Sequence, residues 1–267
     1  MTALAAAPAV GAVVWPTNNS DWTALTQNSK GYVDSSDGKD KSTDIRGSTS
    51  LSAGYYYFDD DQFLLMFRMR INKSPFDKKG KWEKNVWQVL FETDGTQSTI
   101  DWALQLDQSK SKTNNRVEFG SVSHGSNDTW LNLGISDTTW NSSTLFRAVA
   151  TGETKFDQKD DYFIDMAIPY QVFASNTGLA IGDTFTVGLS SSSQHNTVNK
   201  DTPDGKNPNQ GPFSDSVTFN PAAIPEPSSV LLTGAGLAAL WMLRRRRKRV
   251  RPRIEAARSP PPPSSTA

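Results

Sequence analysis

Short runs of alternating apolar and polar residues constrain the fold of this chain more than any other feature. In the segment from Gln62 to Ile71, Phe63 and every second residue after it are apolar, whereas Leu64, Met66, Arg68 and Arg70 lie between them. This period of two predicts a β-strand with one face in a core, Phe63 included. No long helical periodicity accompanies it, so the sequence predicts an all-β body.

The other runs are short and separated by turn residues. Val86–Glu92 and Ile100–Asp107 are predicted to form a hairpin across the Asp94-Gly95 turn. Pro169 is predicted to start a one-turn helix over Tyr170–Phe173. About nine strands over about 200 residues predict a single β-sandwich, large enough to bury a core without disulfides. The further strands are predicted at Gly54–Phe58, Arg116–Val122, Leu145–Thr151, Tyr162–Ala167, Thr184–Ser190 and Ser216–Asn220.

The formal net charge of zero hides two parts of opposite sign. From Ala222 onward the chain holds nine of its 28 Lys and Arg and two of its 28 Asp and Glu, which leaves 19 basic and 26 acidic residues before it. An acidic body without a basic stripe argues against nucleic-acid binding. The absence of cysteine excludes disulfides, thiolate zinc sites and thiol nucleophiles.

The basic residues come directly after an apolar run. Val230–Leu243 contains no charged residue and is followed at once by Arg244, Arg245, Arg246, Arg247 and Lys248. As a helix it would be about 21 Å long, and flanking Ser and Arg side chains would extend it towards the thickness of a bilayer. We expect a transmembrane helix whose basic end halts translocation in the cytoplasm, with the acidic body outside.

An exposed, extended peptide stands before this helix. Pro225, Glu226 and Pro227 cannot continue a helix or a sheet ladder. Pro-Glu-Pro, an apolar helix and an Arg cluster, in that order, resemble the PEP-CTERM sorting signal of Gram-negative bacteria that produce exopolysaccharide. The resemblance implies that an exosortase recognises Pro225, Glu226 and Pro227, and that the protein is sorted to the cell surface or a biofilm matrix.

These features divide the chain into four parts. Residues 1–14 are expected to be the remnant of a signal peptide with an upstream start, because they offer small residues but no basic or long apolar region. Residues 15–220 form the sandwich and 221–248 the sorting signal. Residues 249–267 form a basic, Pro-rich tail that is predicted to be disordered and that family members usually lack.

The body resembles a known group of sandwiches more loosely. The resemblance rests on Asp44-Ile45-Arg46-Gly47, Asp59-Asp60-Asp61, the strand after it, Glu92-Thr93-Asp94-Gly95 and Asp165–Pro169. In this order they resemble DOMON domains and family 9 carbohydrate-binding modules. The resemblance implies a ligand-binding sandwich, with exopolysaccharide as a candidate partner.

Two sets of residues could bind a ligand. The residues Asp59, Asp61, Asp94 and Asp101 lie in or beside turns, and their oxygen atoms suit Ca²⁺. The alternative is that they are solvated carboxylates that cap and orient the turns without an ion. Trp82, Trp130 and Trp140 stand among polar residues, where indole rings could stack on sugars. Trp87 and Trp102 are expected in the core.

No catalytic constellation stands out. The body has four glutamates and no pair whose spacing indicates glycoside hydrolysis, and nucleophile elbows, phosphate loops and zincin motifs are missing. We therefore expect a non-enzymatic carbohydrate-binding or purely structural module. A secreted glycan-active enzyme is the alternative.

Overall fold

The computed structural model contains two compact units, residues 1–224 and 225–267. The sheets lie in the first. Residues 123–124 and 133–139 are described by their backbone alone. The structure describes residues 12–34, 42–95, 100–109, 116–124, 133–152, 156, 160–194, 201–203 and 213–221.

The described residues form strands and little helix, which confirms the all-β prediction. The one α-helix among them, α1 (Tyr170–Thr177), begins after Pro169 and ends at Gly178, whose φ of 78° is the left-handed conformation that glycine adopts readily. The strands are β1 (Thr23–Ala24), β2 (Thr26–Gln27), β3 (Lys30–Gly31), β4 (Gly54–Asp59), β5 (Leu64–Ile71), β6 (Val86–Glu92), β7 (Trp102–Asp107), β8 (Arg116–His124), β9 (Leu133–Ser142), β10 (Phe146–Ala150), β11 (Tyr162–Pro169), β12 (Thr184–Ser192) and β13 (Val217–Thr218).

Two antiparallel sheets share one core, which is the layering of a β-sandwich. The first sheet has the order β1-β4-β5-β11-β10, and the second has the order β13-β12-β6-β7-β8-β9. Phe67 on β5 and Phe91 on β6 meet between them, with ring centroids 5.1 Å apart. β2 and β3 form a separate two-stranded ribbon. The predicted hairpin of β6 and β7 is confirmed, with Phe91 opposite Trp102.

Both faces of β5 are buried, although the alternation predicts one core face. Leu65, Phe67, Met69 and Ile71 pack in the shared core. Leu64 and Met66 pack on the other side, against Trp22 and Leu145, and we call these four residues the Leu64 cluster. Leu64 and Met66 are covered by residues 12–22, which we call the strap; Gln62 accepts a hydrogen bond from the Val14 amide at 2.7 Å and donates one to the Val14 carbonyl at 2.6 Å.

Several sequence predictions were wrong in detail. Phe63 is not a core residue: it lies in the turn before β5 with φ 55° and is 38% exposed. The helix α1 has eight residues, because the chain continues helically until Gly178. β9 was not predicted, since its polar sequence pairs with β8 through two register shifts that no sequence pattern marks. Val13, assigned to the signal-peptide remnant, packs against the Leu64 cluster.

The predicted membrane helix at 230–243, the sorting peptide, the basic cluster and the tail lie outside the described residues. Within the part of the chain that the structure describes, no helix has the length and apolar character needed to cross a membrane.

Candidate functional site

The hairpin of β6 and β7 gathers three acidic side chains. Carboxylate oxygens of Glu92, Asp94 and Asp101 lie within 4.8 Å of one another. Asp101 accepts hydrogen bonds from the Thr93 amide at 2.7 Å and its hydroxyl at 3.0 Å, and Glu92 accepts one from Thr186 at 3.2 Å. The structure thus brings together Asp94 and Asp101, two of the predicted Ca²⁺ ligands, with Glu92, a further acid that the sequence places around this hairpin.

The other two predicted ligands lie apart from this group. Asp59 accepts hydrogen bonds from the backbone and side chain of Gln62, and it is nearly buried. Asp61 is exposed at the tip of the same turn. Among the described residues, neither belongs to a group of three acidic side chains whose oxygen atoms all lie within 4.8 Å of one another. The four predicted ligands therefore do not form one site.

A second acidic group lies at the opposite end of the two sheets, and the sequence did not reveal it. Asp34, Asp44 and Asp201 are each at most 5% exposed, with carboxylate oxygens within 4.8 Å of one another. Backbone bridges hold them there: Asp34 pairs with Gly47, and Asp201 pairs with Ser191. The Ile45 amide donates to Asp201 at 2.6 Å. Hard oxygen ligands of this kind suit Ca²⁺.

The sequence could not indicate this group, because 156 residues separate the Ile45 amide from Asp201. The only available signal is Asp44 at the start of Asp44-Ile45-Arg46-Gly47, which entered the resemblance but no ligand set. Calcium binding at Asp94 and Asp101 stays a prediction, and the sequence predicts no ion at Asp34, Asp44 and Asp201.

Two of the three predicted sugar-binding tryptophans, Trp82 and Trp140, contribute to packing. Trp82 is half-buried, and its ring centroid lies 4.7 Å from that of Phe76 and 5.7 Å from that of Trp87. Trp140 is half-buried between the shared core and the Leu64 cluster. Trp130 lies outside the described residues. Glu83, the next residue in the chain after Trp82, pairs with Lys73 at 3.5 Å.

A row of polar side chains crosses the second sheet on the face away from the core. Register pairs Ser190 with Gln88, Gln88 with Gln105, and Gln105 with Glu118. Their side chains form a hydrogen-bonded chain of 2.7, 3.2 and 2.8 Å, and all four are at most 1% exposed. We call these four residues the polar row. Alternation predicts them to face away from the core but not to be buried.

The body ends at a defined place. β13 leads to Phe219, which is fully buried and packs against Tyr170 and Phe173, and Pro221 is still buried. Burial and the neighbouring Asp60 carboxylate, which accepts a hydrogen bond from the Tyr170 hydroxyl at 3.2 Å, raise the pKa of Tyr170 well above its ordinary value. Tyr170 therefore stays neutral, and its ring centroid lies 6.2 Å from that of Phe219.

The segment after Pro221 matches a known family. The model of the PEP-CTERM protein-sorting motif matches residues 223–247. The chain therefore carries the sorting motif that its sequence resembles, which marks an exported protein sorted to the cell envelope and processed by exosortase. No curated protein and no solved structure matches the chain, so the resemblance of the body to DOMON domains and family 9 modules stays a prediction.

Proposed function

We propose that this chain is an envelope or extracellular-matrix protein whose two-sheet body is a non-catalytic carbohydrate-binding module, positioned by exosortase processing at Pro225, Glu226 and Pro227. The observation that carries the proposal is the order of the parts: the sorting motif at 223–247 begins two residues after the last described residue of the body, Pro221. In this proposal the sorting signal directs export and processing, and the body is the part that remains outside the cell.

Carbohydrate binding by the body is supported by chemistry beside Trp82. An indole ring that keeps an exposed part can stack on the C–H face of a sugar, and neighbouring polar groups can bind its hydroxyls. Lys73 and Glu83 supply such groups, since they are 42% and 23% exposed in their side chains. A matrix polysaccharide is the ligand class that fits an exported protein of this kind.

Processing is tested with Glu226→Ala in the natural host. Loss of the carboxylate from the Pro-Glu-Pro peptide is expected to leave the full-length chain in the membrane fraction, whereas the wild type is shortened near residues 225–227. Glu255→Ala is the matched control, because it removes the other glutamate that follows Ala222, outside the sorting signal. Intact mass and cell fractionation, with and without the exosortase, give the readout. Equal processing of both variants and the wild type contradicts the sorting role.

Carbohydrate binding is tested by titrating the exported protein with the host polysaccharide while tryptophan fluorescence is followed. Trp82→Leu is expected to weaken binding about fivefold, because a stacked ring contributes on the order of 1 kcal/mol. Trp22→Leu is the control, since Trp22 is the last residue of the strap and only 5% exposed. Melting curves verify that both variants fold. Failure of the wild type to bind favours a purely structural module, and release of soluble sugars favours the glycan-active enzyme.

A further inference from the structure

The connection between the body and the sorting peptide is short. Pro221 is buried in the body, and three residues, 222–224, separate it from Pro225. Consecutive Cα atoms are 3.8 Å apart, so the Pro225 Cα lies at most about 15 Å from the Pro221 Cα, whatever the path between them. The peptide that the exosortase must bind therefore cannot move far from the body.

A protease that binds an extended peptide encloses residues on both sides of the bond it cuts, much as other peptide-binding proteins hold an extended strand. With so short a connection, the protease must approach the surface around Pro221. That surface, which we call the exit end, consists of residues 59–63, α1, residues 178–183 and residues 219–221. The Gly182 amide donates to the Phe219 carbonyl at 2.8 Å, and the Tyr170 amide donates to the Phe63 carbonyl at 2.9 Å, which joins these segments.

The exit end has an unusual surface. Of the three exposed large hydrophobic residues among those described, Phe63 and Ile181 belong to it, at 38% and 53% exposure. Phe63 also has a φ of 55°, which is rare for a bulky residue and costs free energy. Asp60, Asp61 and Asp183 are exposed beside them. Residues 59–63, 170–183 and 216–221 contain no Lys or Arg.

From this geometry we propose that the exit end is a docking surface for the exosortase, in addition to the Pro-Glu-Pro peptide. Ile181 and Phe63 supply apolar contacts, and the three aspartates attract basic residues. The matching surface of the exosortase is therefore apolar with basic residues around it. The inference rests on exosortase processing of this chain. It gives the body a role in its own processing.

The test compares the rate of exosortase-dependent cutting of full-length variants in the host by pulse-chase and intact mass. Ile181→Lys is expected to slow cutting about tenfold. The substitution removes the burial of about half of an Ile side chain against the exosortase, and the new Lys repels the basic surface proposed for that partner. Thr49→Lys is the control, since it adds the same charge at an exposed turn away from the exit end. It should be cut at the wild-type rate.

A second pair of variants separates docking from misfolding. Inserting eight Gly and Ser residues after Ala222 should lengthen the connection and remove the effect, so that the Ile181→Lys variant with the insert is cut as fast as the insert alone. Equal rates for Ile181→Lys and the wild type without the insert overturn the docking surface while leaving the sorting role intact. A defect that persists with the insert also overturns it. No exosortase-dependent cut in the wild type overturns both.

Discussion

The two outer faces of the body bury polar side chains in different ways. On the first sheet, charged groups dominate: Arg68 donates two hydrogen bonds to Asp165, at 2.7 and 2.9 Å, and Arg147 donates one at 2.7 Å. On the second sheet, the polar row consists of amides, a hydroxyl and one carboxylate. Sheet alternation thus indicates which side a residue faces and leaves open whether that side meets water.

The charged face is closed by the strap. The Arg68 guanidinium lies 4.1 Å from the Trp22 ring centroid and 4.3 Å from that of Phe163, and Arg147 lies 5.1 Å from that of Trp15. Arginine is suited to this place, because its planar fork binds a carboxylate while its face stacks on aromatic rings. The first sheet therefore owes its burial to residues 12–22, which supply two of the rings.

Replacing Arg68 is expected to have the largest effect. Arg68→Met leaves the buried Asp165 paired with Arg147, whose side chain is 30% exposed, and removes the stacking on Trp22, so the free energy of unfolding should fall by about 3–5 kcal/mol. Urea unfolding measures it. Lys84→Met is the control, because Lys84 is exposed. A loss below about 1 kcal/mol would show that the ion pair adds little.

Replacing Gln105 tests the face that carries the polar row and should have a smaller effect. Gln105→Leu removes the hydrogen bonds to Gln88 and Glu118, and the buried groups that lose them make the expected loss about 1–3 kcal/mol. Asn141→Leu is the matched control, since Asn141 lies opposite Glu118 in the register but is exposed. The control should change stability by at most about 0.5 kcal/mol. Equal losses for the two variants would mean that burial of the polar row does not matter.

A third polar contact links the segment before β13 to the β2–β3 ribbon and depends on pH. Asp215 accepts hydrogen bonds from the Thr26 hydroxyl at 2.7 Å and the Ser29 amide at 2.8 Å, which lower the pKa of its carboxyl. A carboxyl with a lowered pKa in the folded state stabilises the fold above its unfolded pKa, and this contribution is lost as pH falls through the folded pKa.

Asp215→Asn is therefore expected to be less stable than the wild type at neutral pH, and the difference should shrink as pH falls below about 4. Unfolding midpoints in urea across that range measure it, with Asp61→Asn at an exposed turn as the control. If the stability difference between Asp215→Asn and the wild type stays constant with pH, the loss comes from altered hydrogen-bond geometry and not from the missing charge.

The smallest effect is expected at an ion pair outside both faces. Lys73 and Glu83 lie 3.5 Å apart with side chains 42% and 23% exposed, so solvent screens their attraction. Lys73→Gln should change the free energy of unfolding by at most about 0.5 kcal/mol. A loss as large as that of Arg68→Met would mean that exposure does not set the strength of these pairs.

The strands could be predicted closely wherever their sequence alternates. Val86–Glu92 was predicted with its observed bounds, and β5 within two residues, because cross-strand packing of apolar side chains both marks and stabilises a strand. β9 could not be predicted, because its polar sequence shows no alternation and only its backbone pairing to β8 makes it a strand. Phe63 escaped because a turn can place a single apolar residue outside the core at positive φ.

The candidate sites divide in the same way. Asp94 and Asp101 could be placed together, since a short hairpin joins them, whereas Asp34, Asp44 and Asp201 come together only when distant segments pair. Trp82 could be selected by its polar neighbours, but its contacts with Phe76 and Trp87 depend on the folded sheets.

The sorting motif, the charge division and the β class of the body can be recognised without a structure, because each depends on contiguous residues or on a period of two. Burial of the polar row and of Arg68, closure of the first sheet by the strap, and the position of Phe63 and Ile181 at the exit end depend on the folded chain. Burial and proximity are set by the distant segments that cover a surface, and local sequence patterns do not encode which segments those are.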